Sequence, residues 1–118
     1  MSMQYNTFVS EAFSNPRHLF DEQVELSRTE QSSAGAREQG VWFKLIFDQP
    51  NHRLYYKVYG NPYAIAAAEY LAREVSAKSI EIGQKLDLEN LRELLDMPYP
   101  YLHILLSLED AWNALQPQ

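Results

Sequence analysis

Three histidines, His18, His52 and His103, are the side chains most suited to chemistry at neutral pH in a chain of 118 residues that contains no cysteine. Metal binding by imidazole needs several ligands converging, and these three stand far apart with no i, i+4 pair. The absence of cysteine removes disulfides, thiolate nucleophiles, zinc fingers and the ordinary ligand sets of iron–sulfur clusters. No G-x-S-x-G or S-x-x-K places a serine beside a base, and Gly35, Gly40, Gly60 and Gly83 form no phosphate-cradling loop. The acidic pairs Asp21-Glu22 and Glu109-Asp110 read as solvated surface. His103, between Leu102 and Ile104 in the first turn of a predicted helix, is expected at the helix–sheet seam, hydrogen-bonded to a carbonyl or water. Tyr55, Tyr56, Tyr59, Tyr63, Tyr99 and Tyr101 fit a small core with hydroxyls reaching solvent, or else a binding surface. None of these patterns assembles a nucleophile or an acid–base pair, so the chain is not expected to be an enzyme.

The elements that must position these residues follow from periodicity. Tyr5, Phe8, Val9, Ala12 and Phe13 share one face of a short helix, which Asn15-Pro16-Arg17 ends. Val24 and Leu26 alternate with polar neighbours in a weak strand over Gln23 to Thr29, and the small polar run Glu30 to Gly40 reads as a mobile loop. Val41 to Phe47 and Arg53 to Tyr59 are strands rich in aromatic and β-branched residues, joined by a short turn. Val41, Phe43, Leu45 and Phe47 share one face, as do Leu54, Tyr56 and Val58, and these faces are expected to meet the helices. Asn61 and Pro62 open a helix running through Val75, with Asn61 as cap and Ile65, Ala68, Leu71, Ala72 and Val75 inward. Short helices are predicted to open at Ser79 and at Asp87, the latter burying Leu88, Leu91, Leu94 and Leu95. After Met97-Pro98-Tyr99-Pro100, a last helix from Tyr101 to Leu115 places Leu102, Leu105, Leu106, Trp112 and Leu115 inward. The sum is an α+β fold, a three-stranded antiparallel sheet packed on one face by helices in the order α-β-β-β-α-α-α-α.

Size and composition agree with one domain spanning residues 1–118. The chain is 46% hydrophobic and 13% aromatic, enough apolar surface to fold. A net charge of −6 argues against broad binding to phosphate backbones or anionic lipid. No apolar run approaches the ~20 residues that cross a bilayer, and no base precedes Arg17, so a cytoplasmic protein with neither nucleic-acid nor membrane partners is expected.

Taken in order, Asn15-Pro16-Arg17, Phe43-Lys44-Leu45, Tyr56-Lys57-Val58-Tyr59-Gly60 with Ala64-Ile65-Ala66, and Leu102-His103 with Leu108-Glu109-Asp110-Ala111 resemble the IscU/NifU N-terminal iron–sulfur cluster scaffold family. The likeness runs from about Tyr5 to Leu115. It implies the same sheet-and-helix fold, and a cluster held on three cysteines with help from an aspartate and a histidine. The cysteine positions correspond here to Gln39 (or Glu38, if the loop slips by one), Asn61 and Ile104, and the aspartate to Val41; His103 alone survives. No cluster cofactor is therefore expected, and His103 is the one residual metal-ligand candidate. The chaperone-recognition segment of the family corresponds to Met97-Pro98-Tyr99-Pro100-Tyr101 without its lysine. The resemblance implies a cluster-free, scaffold-like protein acting by protein–protein interaction in iron–sulfur assembly, with a cysteine desulfurase as an expected partner. The alternatives are a weak iron carrier using Glu38, His103 and nearby carboxylates, and a domain repurposed to bind a small ligand in a cleft near Asn61, Tyr63, Tyr99 and His103.

Overall fold

The computed structural model describes residues 5–21 and 29–115. Helix α1 (Thr7–Ser14) is capped by Asn6, whose side chain accepts from the Val9 amide at 2.9 Å and donates to the Leu94 carbonyl at 2.9 Å. Val9 and Ala12 are buried and Tyr5 and Phe8 pack at the core margin, but Phe13, in the last turn, is half-exposed.

The sheet is antiparallel, in the order β1 (Thr29–Ala36), β2 (Val41–Asp48) and β3 (Arg53–Tyr59). The expected strand at Gln23 to Thr29 lies outside the described residues except for Thr29, which opens β1; the strand that pairs with β2 is instead mostly the run that reads as a loop. Its register, Ser32 with Leu45 and Ala34 with Phe43, continues the pattern of β2, whose residues in turn pair Leu45 with Tyr56 and Phe47 with Leu54. Small polar residues suffice in β1 because it is an edge strand, anchored by the Ser32 hydroxyl donating to the Ala111 carbonyl at 2.6 Å. A turn of 3-10 helix (Arg37–Gln39) and left-handed Gly40 connect β1 to β2.

Val41, Phe43, Leu45, Phe47, Leu54 and Tyr56 face the helices and are buried, as their period-2 spacing predicts. Helix α2 (Pro62–Ser76) lies against β3 and is flanked by α1 and by the last helix. Ala64 and Ala66 to Ala68 have no side chain beyond Cβ, which lets these neighbours approach, and almost the full circumference of α2 is buried. Ile65 is only partly buried.

No helix opens at Ser79. Lys78 and Gly83 adopt left-handed backbone, φ 66° and 93°, and the segment to Asp87 is irregular, pinned by Trp112 Nε1 donating to the Gln84 carbonyl at 2.6 Å. Helix α3 (Leu88–Leu94) begins at the predicted cap, Asp87. A 3-10 turn (Tyr99–Tyr101) leads directly into α4 (Leu102–Ala114). Its buried stripe is Ile104, Leu105, Leu108, Ala111 and Trp112. Leu106, predicted inward, stands about 200° around the helix from Ile104 and is half-exposed. The α+β class and the helix-covered sheet are as expected. Among the described residues no helix is long and apolar enough to cross a membrane.

Candidate functional site

Three connections meet at one end of the sheet. A Cβ built on Gly60, at the end of β3, would lie 2.7 Å from Ala64 Cβ, 3.6 Å from Val41 Cγ2 and 3.7 Å from the Gly40 carbonyl, so the β1–β2 and β3–α2 turns adjoin. The start of α4 joins them through Tyr101, whose ring centroid is 5.5 Å from that of Tyr63 in the first turn of α2; Tyr5 stacks edge-on against Tyr63 at 4.9 Å. Burial raises the Tyr63 hydroxyl above the usual tyrosine value, reinforced by Tyr5, Asp96 and Tyr101.

The singled-out positions gather around this junction without converging on a ligand. Gln39 and Glu38 are exposed in the 3-10 turn. Val41 is buried against the helices. Asn61 accepts from the Ala64 amide at 3.1 Å, the cap on which α2 starts. Ile104 is 2% exposed in the core. His103 faces solvent rather than the helix–sheet seam; its Nδ1–H donates to the Pro100 carbonyl at 3.2 Å, which fixes the tautomer when the ring is neutral. An amide, a capping amide and two aliphatics supply no thiolate, so the donor set does not fit an iron–sulfur cluster as cargo. Among the described residues no three His, Asp or Glu side chains are grouped as a metal would require.

Nor do Asn61, Tyr63, Tyr99 and His103 share a cleft. Tyr63 is buried, whereas Tyr99 is exposed and lies under the Arg92 guanidinium at 4.2 Å. A hollow of about 200 Å³ lies elsewhere, between Tyr70 and Leu71 of α2 and the stretch from Ile80 to Leu91.

A buried polar centre went unpredicted. Glu69, fully buried on α2, accepts from the His18 backbone amide at 3.0 Å, from Tyr56 Oη at 2.8 Å and from Arg73 Nε at 2.7 Å, with His18 Nδ1 also 3.0 Å from its carboxylate. Arg73 reaches on to Glu11 at 2.9 Å and the Asn15 carbonyl at 3.2 Å. Burial alone would raise the Glu69 carboxyl, but the His18, Tyr56 and Arg73 hydrogen bonds outweigh it and hold the group down at about 2. Burial and the adjacent carboxylate push the Tyr56 hydroxyl far up. The four hydrogen bonds occupy both oxygens of the Glu69 carboxylate, so Glu69 itself ties the surrounding elements together. It binds α1, the stretch beside β3 and α2 into one unit: the Phe20 amide donates to the Tyr56 carbonyl and the Tyr56 amide to the His18 carbonyl, a short parallel bridge along the β3 edge. The signal in the sequence was Glu69 itself, an acid inside an alanine-rich helix with Arg73 four residues on.

No protein-family model matches the chain, and no curated protein matches it.

Proposed function

We propose that this protein is a cluster-free, scaffold-like paralogue of the IscU/NifU N-terminal domains that acts by protein–protein binding in iron–sulfur assembly. The observation that carries the reading is the use made of the positions where that resemblance places thiolates. Asn61 caps α2 and Ile104 fills the core, each in a structural role and not as a ligand, while the three-stranded sheet and covering helices that the resemblance implies are present. A chain that retains the shape and lacks the grip is suited to engage assembly partners without carrying their cargo.

Pull-down and calorimetry against a cysteine desulfurase and a cysteine-bearing scaffold test this. Complex formation is expected with protein at about 50 μM, enough to populate any complex of micromolar Kd. No complex with either partner rejects the proposal, as does a stable coloured holo-protein after anaerobic incubation with ferrous iron and sulfide.

A further inference from the structure

The sheet face turned away from the helices carries cations that no carboxylate among the described residues neutralises through an ion pair. Lys44 on β2 and Lys57 on β3 stand directly opposite one another. Like charges in that relation cost stability, and no carboxylate among the described residues forms an ion pair with either. One row along, Trp42 opposes Tyr59, and the Arg37 guanidinium lies over both rings at 5.6 and 5.7 Å. The Lys57 ammonium sits over the Phe20 ring at 5.1 Å. Gly35, the β1 partner of Trp42, adds no side chain, so this corner is open: Arg37 is exposed, Tyr59 is 49% exposed, and Trp42, Lys44 and Lys57 are partly so. The strands place one carboxylate on this face, Asp48, at the far end and bonded to Asn51; Glu38 neighbours Arg37 in the turn. Three cations thus crowd one corner of a chain whose net charge is −6.

We propose that Arg37, Lys44 and Lys57, framed by Trp42 and Tyr59, form a docking face for an acidic segment of a partner protein. Charge complementarity argues for the occupant. A carboxylate placed between Lys44 and Lys57 converts a repulsive pair into two attractive ones, and strain left in the free state at such a position is a mark of binding sites. A single-stranded nucleic acid fits less well, because Arg37 already covers the rings on which bases would stack and the acidic remainder of the chain repels a long polyanion. The inference deepens the proposed function by naming the chemistry of the partner, and rests on it only in taking that partner to be a protein.

Trp42 reports on the face directly, since Trp112 is buried. The probe is an acetylated Glu-Gly repeat of roughly ten residues, long enough to cross the patch. Titrated at ~50 mM salt, it is expected to change Trp42 emission saturably, with affinity falling steeply by ~500 mM. Trp42→Phe should abolish the signal. Lys44→Glu/Lys57→Glu should weaken binding about tenfold or more and Lys44→Gln/Lys57→Gln by a smaller factor, both with unchanged circular dichroism. Equal affinity of the wild type and the neutral variant overturns the proposal. So does tighter binding of an oligothymidylate of the same charge, or self-association that the charge reversal abolishes without any binding of the peptide. A desulfurase complex that forms equally well with the charge-reversed variant rejects the face and leaves the assembly reading standing; peptide binding with no desulfurase complex supports the face and counts against that reading.

Discussion

Asn61 works as a helix cap. In the resemblance it stands where a thiolate would bind; in the structure its side chain holds the Ala64 amide and Pro62 follows at the first helical position. Replacing it with Ala removes the side-chain acceptor of the Ala64 amide, leaving that amide only the Asn61 carbonyl at 3.0 Å, and should cost about 1 kcal/mol, read from urea unfolding. A change within a few tenths of zero would mean that the cap contributes nothing. Two glycines show how position sets the cost of a single side chain. Gly35 and Gly40 both have φ near +90°, 88° and 87°, so Ala is strained at each. At Gly40 a Cβ meets nothing within 4 Å, whereas at Gly35 it would lie 2.5 Å from the Val41 carbonyl oxygen, inside the β1–β2 ladder. Gly40→Ala should therefore cost roughly 1 kcal/mol and Gly35→Ala clearly more, a ranking that chemical denaturation of the two variants checks. Equal losses would mean that the ladder gives way freely. At this scale the sequence was legible where a residue acts on near neighbours, as Asn61 does on Ala64. It was opaque for His103, whose outward turn depends on how α4 docks.

Among the elements, those defined by strong apolar periodicity were readable and those defined by their neighbours were not. Arg53–Tyr59 matches its predicted bounds and β2 extends the predicted strand by one residue, because alternating aromatic and aliphatic residues leave one way to bury a face. The strand β1 escaped notice because an edge strand of Ser, Ala and Gly satisfies its backbone through pairing rather than through side-chain burial. Glu69 escaped for a related reason: its partners come from positions 18, 56 and 73, and only folding brings them together. That assembly has a pH signature. The folded carboxyl lies at about 2, below its ordinary 4.5, so its contribution is complete above 4.5 and is lost as pH falls toward 2. The difference corresponds to roughly 3 kcal/mol. Glu69→Gln should be less stable than wild type at pH 7, and the gap between the two should narrow progressively from about pH 5 to pH 2 in urea unfolding. A gap that stays constant over that window would show that ionised Glu69 is not what holds α1 and the β3 edge to α2.

For the whole molecule, burial is uneven, and that asymmetry should govern how it opens. Helix α2 is enclosed by the sheet, α1 and α4, and β2 is paired on both sides, so their amides can exchange only when the core itself opens. The strand β1 pairs on one side only and carries small polar side chains, and the stretch from Ser79 to Asp87 hangs on few contacts, Trp112 with Gln84 and Leu86 in the core among them. Local opening of these two regions costs little apolar burial, so it should precede global unfolding. Hydrogen exchange followed by mass spectrometry is then expected to rank protection as α2 and β2 highest, β3 and α4 next, and β1 with the 79–87 stretch lowest. An acidic peptide on the outer face should slow exchange selectively in β2 and β3 around Lys44 and Lys57 and leave the 79–87 stretch unchanged. If β1 proves as protected as β2, the edge strand is covered by something beyond its pairing with β2, and the ranking of protection by burial fails.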